Sequence, residues 1–149
     1  MTIQTTRSDA GLATALRISV SRLARRLRAE RLEGGVGREL SDTQFAALAA
    51  LERHGAMTPG ELAEHEKVQP PSMTRVMAVL EERALVMRAP HPTDRRQVRL
   101  TVTDSGREMV QQSRRLREAW LAVRLRELSP ADRAALRAAA PILEKLSQS

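Results

Sequence analysis

A chain of 149 residues, 42% of them hydrophobic, is long enough to bury its own core as one domain, which excludes wholesale disorder. The lack of cysteine excludes disulfides, thiolate metal sites and thiol redox sensing; no apolar run approaches the roughly 18 residues of a membrane span, and Met1 to Ala15 is too polar for a signal peptide, so a cytoplasmic protein is expected. A formal charge of +7 favours an anionic partner, and with Phe45 and Trp120 the only aromatic residues, a single strand stacked on aromatic platforms is disfavoured.

The hydrophobic pattern predicts six helices and one hairpin. Leu12, Leu16, Val20, Leu23 and Leu27 form one stripe of a long first helix over 9–32, whose other face is dense with arginine and reads as solvated. Gly34-Gly35-Val36-Gly37 breaks it. Ser41 and Gln44 have the spacing of a capping box for a second helix, with Leu40 placed to staple onto Phe45, and His54-Gly55 closes it. Thr58, Pro59 and Glu61 repeat the device for a third helix ending near Glu66, with Met57 stapled onto Leu62. Lys67 to Gln69 is then a tight connection, and Pro70-Pro71 presets the backbone for a fourth helix. Two short helices joined by about three residues are the mark of a helix-turn-helix.

In the fourth helix Met73, Val76, Met77 and Leu80 form the buried stripe, which leaves Ser72, Arg75, Val79 and Glu82 on the opposite side. Leu85 to Arg88 and Val98 to Val102 are β-rich runs, and the prolines between them stop either strand from continuing through the tip. Thr103 caps a fifth helix to about Glu127, with Met109, Leu116, Trp120 and Val123 at heptad-like spacing. Ser129-Pro130-Ala131-Asp132 opens a sixth, striped by Leu136, Ala139, Leu143 and Leu146. The expected fold is mainly α with a small β-wing: a winged helix-turn-helix over 41–103, between an N-terminal dimerisation helix and linker over 1–40 and C-terminal dimerisation helices over 104–149. Helices 1, 5 and 6 carry more apolar stripe than a small winged module needs, so a homodimer is expected, with Leu12, Leu16, Leu136, Leu143 and Leu146 in its interface.

Charge refines the partner. Residues 41–103 hold eight basic and eight acidic side chains, but Arg83 to Arg99 contains five arginines against Asp94 alone. All but Lys67 and Lys145 of the 25 basic residues are arginine, suited to bidentate contacts, although GC-rich coding also produces arginine. A hydroxyl at Ser72 and a guanidinium at Arg75, near the start of a helix, suit base edges; the plain alternative is a solvated arginine. Arg96 suits a narrow, electronegative minor groove, with Asp94 orienting the wing arginines by ion pairing and Arg88, Arg95 and Arg99 meeting phosphates, unless Arg95 and Arg96 are ordinary hairpin-tip residues.

Gln-Pro-Pro-Ser-Met-Thr-Arg at 69–75, Leu80-Glu81-Glu82-Arg83, Leu85-Val86, Pro92-Thr93-Asp94-Arg95-Arg96 and Thr103-Asp104-Ser105-Gly106 together resemble the MarR family of transcriptional regulators. The flanking helices extend that resemblance over nearly the whole chain. It implies a homodimer on a double-stranded DNA operator, with helix 4 in the major groove and the wing in the minor groove, and adds Gln69, Pro71 and Thr74 to the DNA-facing set. It also implies a repressor released by a small effector, bound between the dimer helices and the DNA module. Leu16, Val20, Phe45, Met109 and Trp120 are the candidate lining for a small aromatic or apolar effector, although such a stripe is also ordinary core. One departure is Ala84, where the family usually has glycine: either alanine takes the left-handed conformation, at a cost of about 1 kcal/mol, or the helix ends differently.

Other chemistry finds little footing. Glu61 and His65 lie one helical turn apart, but beside Glu64 and Glu66 they read as surface charge, and His54 and His91 fall in separate loops, so neither metal nor cofactor is expected. The sequence has no Gly-rich phosphate loop, no nucleophile elbow and no suggestive His, acid and nucleophile spacing, so no enzyme is expected. A winged helix that binds protein or RNA is the alternative reading.

Overall fold

The computed structural model describes residues 7–149. In chain order its elements are α1 (Asp9–Glu33), α2 (Asp42–His54), α3 (Pro59–Glu66), α4 (Pro70–Glu82), β1 (Val86–Pro90), β2 (Val98–Val102), α5 (Asp104–Arg126) and α6 (Pro130–Ser147). Local chemistry sets the helix starts: the hydroxyls of Ser8, Ser41, Thr58, Thr103 and Ser129 each accept a backbone N–H three residues on, satisfying donors the helix itself leaves free. Gln44 and Glu61 complete capping boxes by accepting from the N–H groups of Ser41 and Thr58. α4 has no side-chain cap at Gln69, but Pro70 and Pro71 remove two of the donors a cap would serve.

The core lies where α2, α3, α4, the wing and the first turns of α5 meet, with Leu48, Leu51, Leu62, Met73, Leu80, Leu100 and Val110 fully buried. Burial of one such side chain contributes roughly 1.5–3 kcal/mol. Val79 also packs partly against this core, so the buried side of α4 is broader than its sequence stripe and the exposed side correspondingly narrower. The hairpin is antiparallel, in register from Val86 opposite Val102 to Pro90 opposite Val98. β1 therefore runs two residues further than the prolines suggested. Bonded and unbonded pairs alternate along the ladder, and His91 N–H donates to the Gln97 carbonyl at 3.3 Å, so the missing N–H of Pro90 falls at an unbonded pair. Met57 bridges Leu100 through reciprocal bonds of 3.2 and 2.7 Å, a short extra strand that makes β2 central and leaves β1 at the edge.

The corner from α4 into the wing resolves the question of Ala84, which takes the left-handed conformation with φ 57°. Leu85 N–H reaches back to the Leu80 carbonyl at 3.0 Å and Ala84 N–H to Glu81 at 2.9 Å, the double closure of a Schellman motif, with Leu80 and Leu85 both buried. Thr103 joins α5 to this corner: its hydroxyl donates to the Ala84 carbonyl at 2.7 Å and accepts from Gly106 N–H at 3.1 Å. A Cβ at Gly106 would collide with the Leu85 carbonyl oxygen, which explains the glycine in Thr103-Asp104-Ser105-Gly106.

α1 packs along α5, with Gly34 against Leu116. The arginine face of α1 is not wholly solvated. Arg31 is 2% exposed, stacks 4.1 Å from the Phe45 ring centroid, and donates to the carbonyls of Val36 and Gly37 at 3.1 and 3.0 Å. α6 buries none of its residues: Leu136 and Leu143 are exposed, as are Ile142 at 61% and Leu146 at 57%. Among the described residues no helix is long and apolar enough to cross a membrane.

Candidate nucleic-acid interface

α4 and the wing tip present the cationic side chains proposed for DNA. Gln69, Pro71, Ser72, Thr74 and Arg75 are all exposed at the start of α4. The Thr74 hydroxyl turns back to the Pro70 carbonyl at 3.0 Å, so its donor is already used, whereas the Arg75 guanidinium has no partner among the described residues. Arg95 and Arg96 are likewise exposed, and their guanidinium groups have no partner among the described residues.

Three of the wing assignments change in detail. Asp94 makes no ion pair with the wing arginines; its Oδ1 accepts the backbone N–H of Arg96 at 3.0 Å and its carbonyl accepts that of Gln97 at 3.1 Å. It orders the tip through the backbone, because in a tight loop the carboxylate reaches the amide two residues on before it reaches a long solvated side chain. Arg88 donates Nε to both carboxylate oxygens of Glu81 at 2.9 and 3.0 Å, which raises its pKa and ties the base of the wing to α4; its terminal nitrogens stay available for phosphate. Arg99 is half-buried on β2, with a shielded Nε that has no partner. The Glu81 tether was not apparent from the sequence because a helix end and a turn separate its partners. Arg83, exposed just after α4, is a further cation that the sequence reading left unassigned.

A second cationic feature lies away from this surface, in a hollow of about 410 Å³ lined by Arg28, Arg31, Phe45, Ala49, Val68 and Arg117, among others. Asp42 serves two of the three guanidinium groups, at 3.6 Å from Arg28 and 3.6 Å from Arg31. Among the described residues Arg117 has no carboxylate in ion-pairing range and donates only to the Ser113 carbonyl at 3.3 Å. Burial, then the nearby charge of Arg114, lowers the pKa of Arg117; burial also lowers that of Arg31, against the pull of Asp42. Guanidinium groups stay charged in either case, so three cations face two carboxylates, Asp42 and Glu66, around the hollow, and one positive charge is left for an anion to compensate. The five residues read from sequence as a pocket are not gathered there. Phe45 lines the hollow, and Met109 meets it only across Gly37 while facing a different depression beside Glu82 and Arg83. Val20 is exposed, Leu16 half-buried, and Trp120 sits between Arg26 and Arg124, 5.2 and 5.5 Å from its ring centroid.

A helix-turn-helix whose second helix exposes a cationic polar edge, followed by an arginine-tipped hairpin packed on it, defines a winged helix-turn-helix DNA-binding protein. Residues 40–98 match the model of the MarR family. An HTH-type transcriptional regulator of Mycobacterium tuberculosis is 48% identical over 136 residues, 91% of this chain and 92% of that protein. The HTH-type transcriptional repressor MdtR of Bacillus subtilis is 30% identical over 95 residues, 64% of this chain and 61% of that protein. Among solved structures, RV1404 of Mycobacterium tuberculosis superposes with a TM-score of 0.81 at 27% identity, covering 93% of this chain and 94% of that one. A MarR family protein of Bacillus stearothermophilus shares the fold, with a TM-score of 0.80 at 23% identity over 100% and 99% of the two chains. The chain belongs to the MarR family and is a DNA-binding transcriptional regulator.

Proposed function

We propose that two copies of this chain bind a nearly palindromic operator whose half-sites lie about one helical turn apart, with α4 in successive major grooves and the wings in the adjoining minor grooves. The observation that carries this reading is the placement of unpaired Arg75 on α4 and unpaired Arg95 and Arg96 on a wing tethered to α4 by Glu81 and Arg88. Dimerisation through α1, α5 and α6 fits the apolar side chains that α6 leaves uncovered. Repression is the regulatory sense we favour, since the relative MdtR is named a transcriptional repressor.

Release by a small organic anion in the Arg28, Arg31 and Arg117 hollow completes the proposal. That hollow lies between α1 and α5 on one side and α2 and α3 on the other, so an occupant can change how the DNA module sits on the long helices. To act, it must bind the arrangement that disfavours DNA more tightly, and DNA must then weaken the ligand by the same factor. Selection of duplexes from a random pool tests the operator: an inverted-repeat consensus is expected, and enrichment no different from the input would overturn sequence-specific binding. Titration with benzoate-like and aliphatic carboxylates, reading operator affinity and melting temperature, tests the anion; the absence of any shift would return regulation to protein abundance.

A further inference from the structure

Side chains bonded to backbone hold the wing tip, and one of those bonds restricts where a proton can sit. His91, half-buried just after β1, accepts the N–H of Asp94 at 3.1 Å and of Thr93 at 3.3 Å, both at Nδ1, with the Thr93 hydroxyl 3.4 Å from the same atom. A nitrogen that receives two amide protons must keep its lone pair, so the ring carries its single proton on Nε2. Asp94 completes the loop by accepting from Arg96 N–H and Gln97 N–H. Together His91 and Asp94 fix the backbone that carries Arg95 and Arg96.

We propose that His91 is a positioning residue for DNA recognition, and that proton uptake at its Nδ1 releases the wing tip and weakens operator binding. Protonation turns an acceptor into a donor pointed at two other donors, so both amide bonds are lost together. The charged residues of the hairpin are Asp94, Arg95 and Arg96 on the loop, Arg88 on β1 and Arg99 on β2. Asp94 is the one carboxylate of the hairpin, and its Oδ1 is already engaged by the Arg96 N–H. DNA phosphate would favour the added charge, but one screened charge at the rim contributes little, whereas insertion of an arginine into a narrow groove depends on a fixed tip.

The inference rests on the wing touching DNA, so the test includes a variant that reports on that premise alone. Operator affinity is measured by fluorescence anisotropy from about pH 8 to about pH 5.5, the range in which histidine changes charge, for wild type, His91→Asn, His91→Ala and Arg96→Ala. Asparagine places an amide oxygen where Nδ1 stands, so it can accept the same two N–H groups without titrating. Wild type is expected to lose roughly tenfold in affinity on acidification, the size of the one bifurcated hydrogen bond that a single Nδ1 lone pair can accept. His91→Asn should keep the affinity of wild type at high pH and lose less than about twofold, while His91→Ala binds weakly throughout. Parallel loss in wild type and His91→Asn would overturn the proposal and move the pH dependence to His54, His65 or the DNA. Wild-type affinity at high pH in His91→Ala would also overturn it, as would an unchanged wild-type affinity in acid. If Arg96→Ala binds normally, the wing reading itself fails. Independently of the variants, the amide resonances of Thr93 and Asp94 in the wild-type protein should shift with the same midpoint as the His91 ring.

Discussion

Ala84 holds φ at 57°, where an L side chain crowds its own following carbonyl oxygen and glycine does not. The conformation is nonetheless enforced, since it closes α4 through Leu85 and Glu81 and offers its carbonyl to Thr103. Ala84→Gly should therefore raise the free energy of unfolding by up to about 1 kcal/mol, reduced by the freedom glycine gains in the unfolded chain. A higher urea midpoint at unchanged slope is the expected result; a lower midpoint would mean the strain is relieved in some other way. The sequence left two outcomes open at Ala84, and only the three-dimensional closure decides between them. Arg31 was less legible still. On a helical wheel it belongs with solvated arginines, and its burial depends on the chain folding back at Gly37 and on the Phe45 ring beneath it, both features of tertiary structure.

At the scale of elements, helix starts were readable because a hydroxyl and an amide three residues apart interact locally, before any packing. Strand limits were less so: whether Pro90 costs a ladder bond depends on pairing parity, which sequence does not reveal. α4 and the wing should also fail differently under mutation. Arg75→Ala should cost about 1 to 3 kcal/mol per half-site and relax preference at one symmetric base pair, as removal of a base contact does. If the wing enters the minor groove as proposed, Arg96→Ala should weaken binding most on sites with A·T-rich flanks and lower the salt slope by about one per subunit. Titrating both variants against operator and scrambled duplexes at several salt concentrations separates the roles; equal losses on both duplexes for Arg75→Ala would reduce it to a phosphate contact.

For the whole molecule, the apolar periodicity of α6 foretold a buried face, yet in a single chain that face meets no core. An apolar depression of about 570 Å³ runs from Leu23 past Leu121 and Leu125 to Leu136 and Leu143, joining α1, α5 and α6 into one uncovered surface. A sequence can show that a stripe needs covering but not by what; we propose the second copy, which the nearly palindromic operator proposed above would also need. Leu143→Asp places a charge in that surface. In an isolated chain the carboxylate is solvated, since Leu143 is already exposed, so helix content and core packing should be preserved. In a dimer interface the same carboxylate is buried without a partner, a cost of several kcal/mol that appears in both subunits. Sedimentation should therefore find wild type dimeric and Leu143→Asp monomeric at micromolar concentration, with operator affinity lost although no DNA-facing residue has changed. A wild-type protein that sediments as a monomer and still binds its operator at full affinity would sink the dimer.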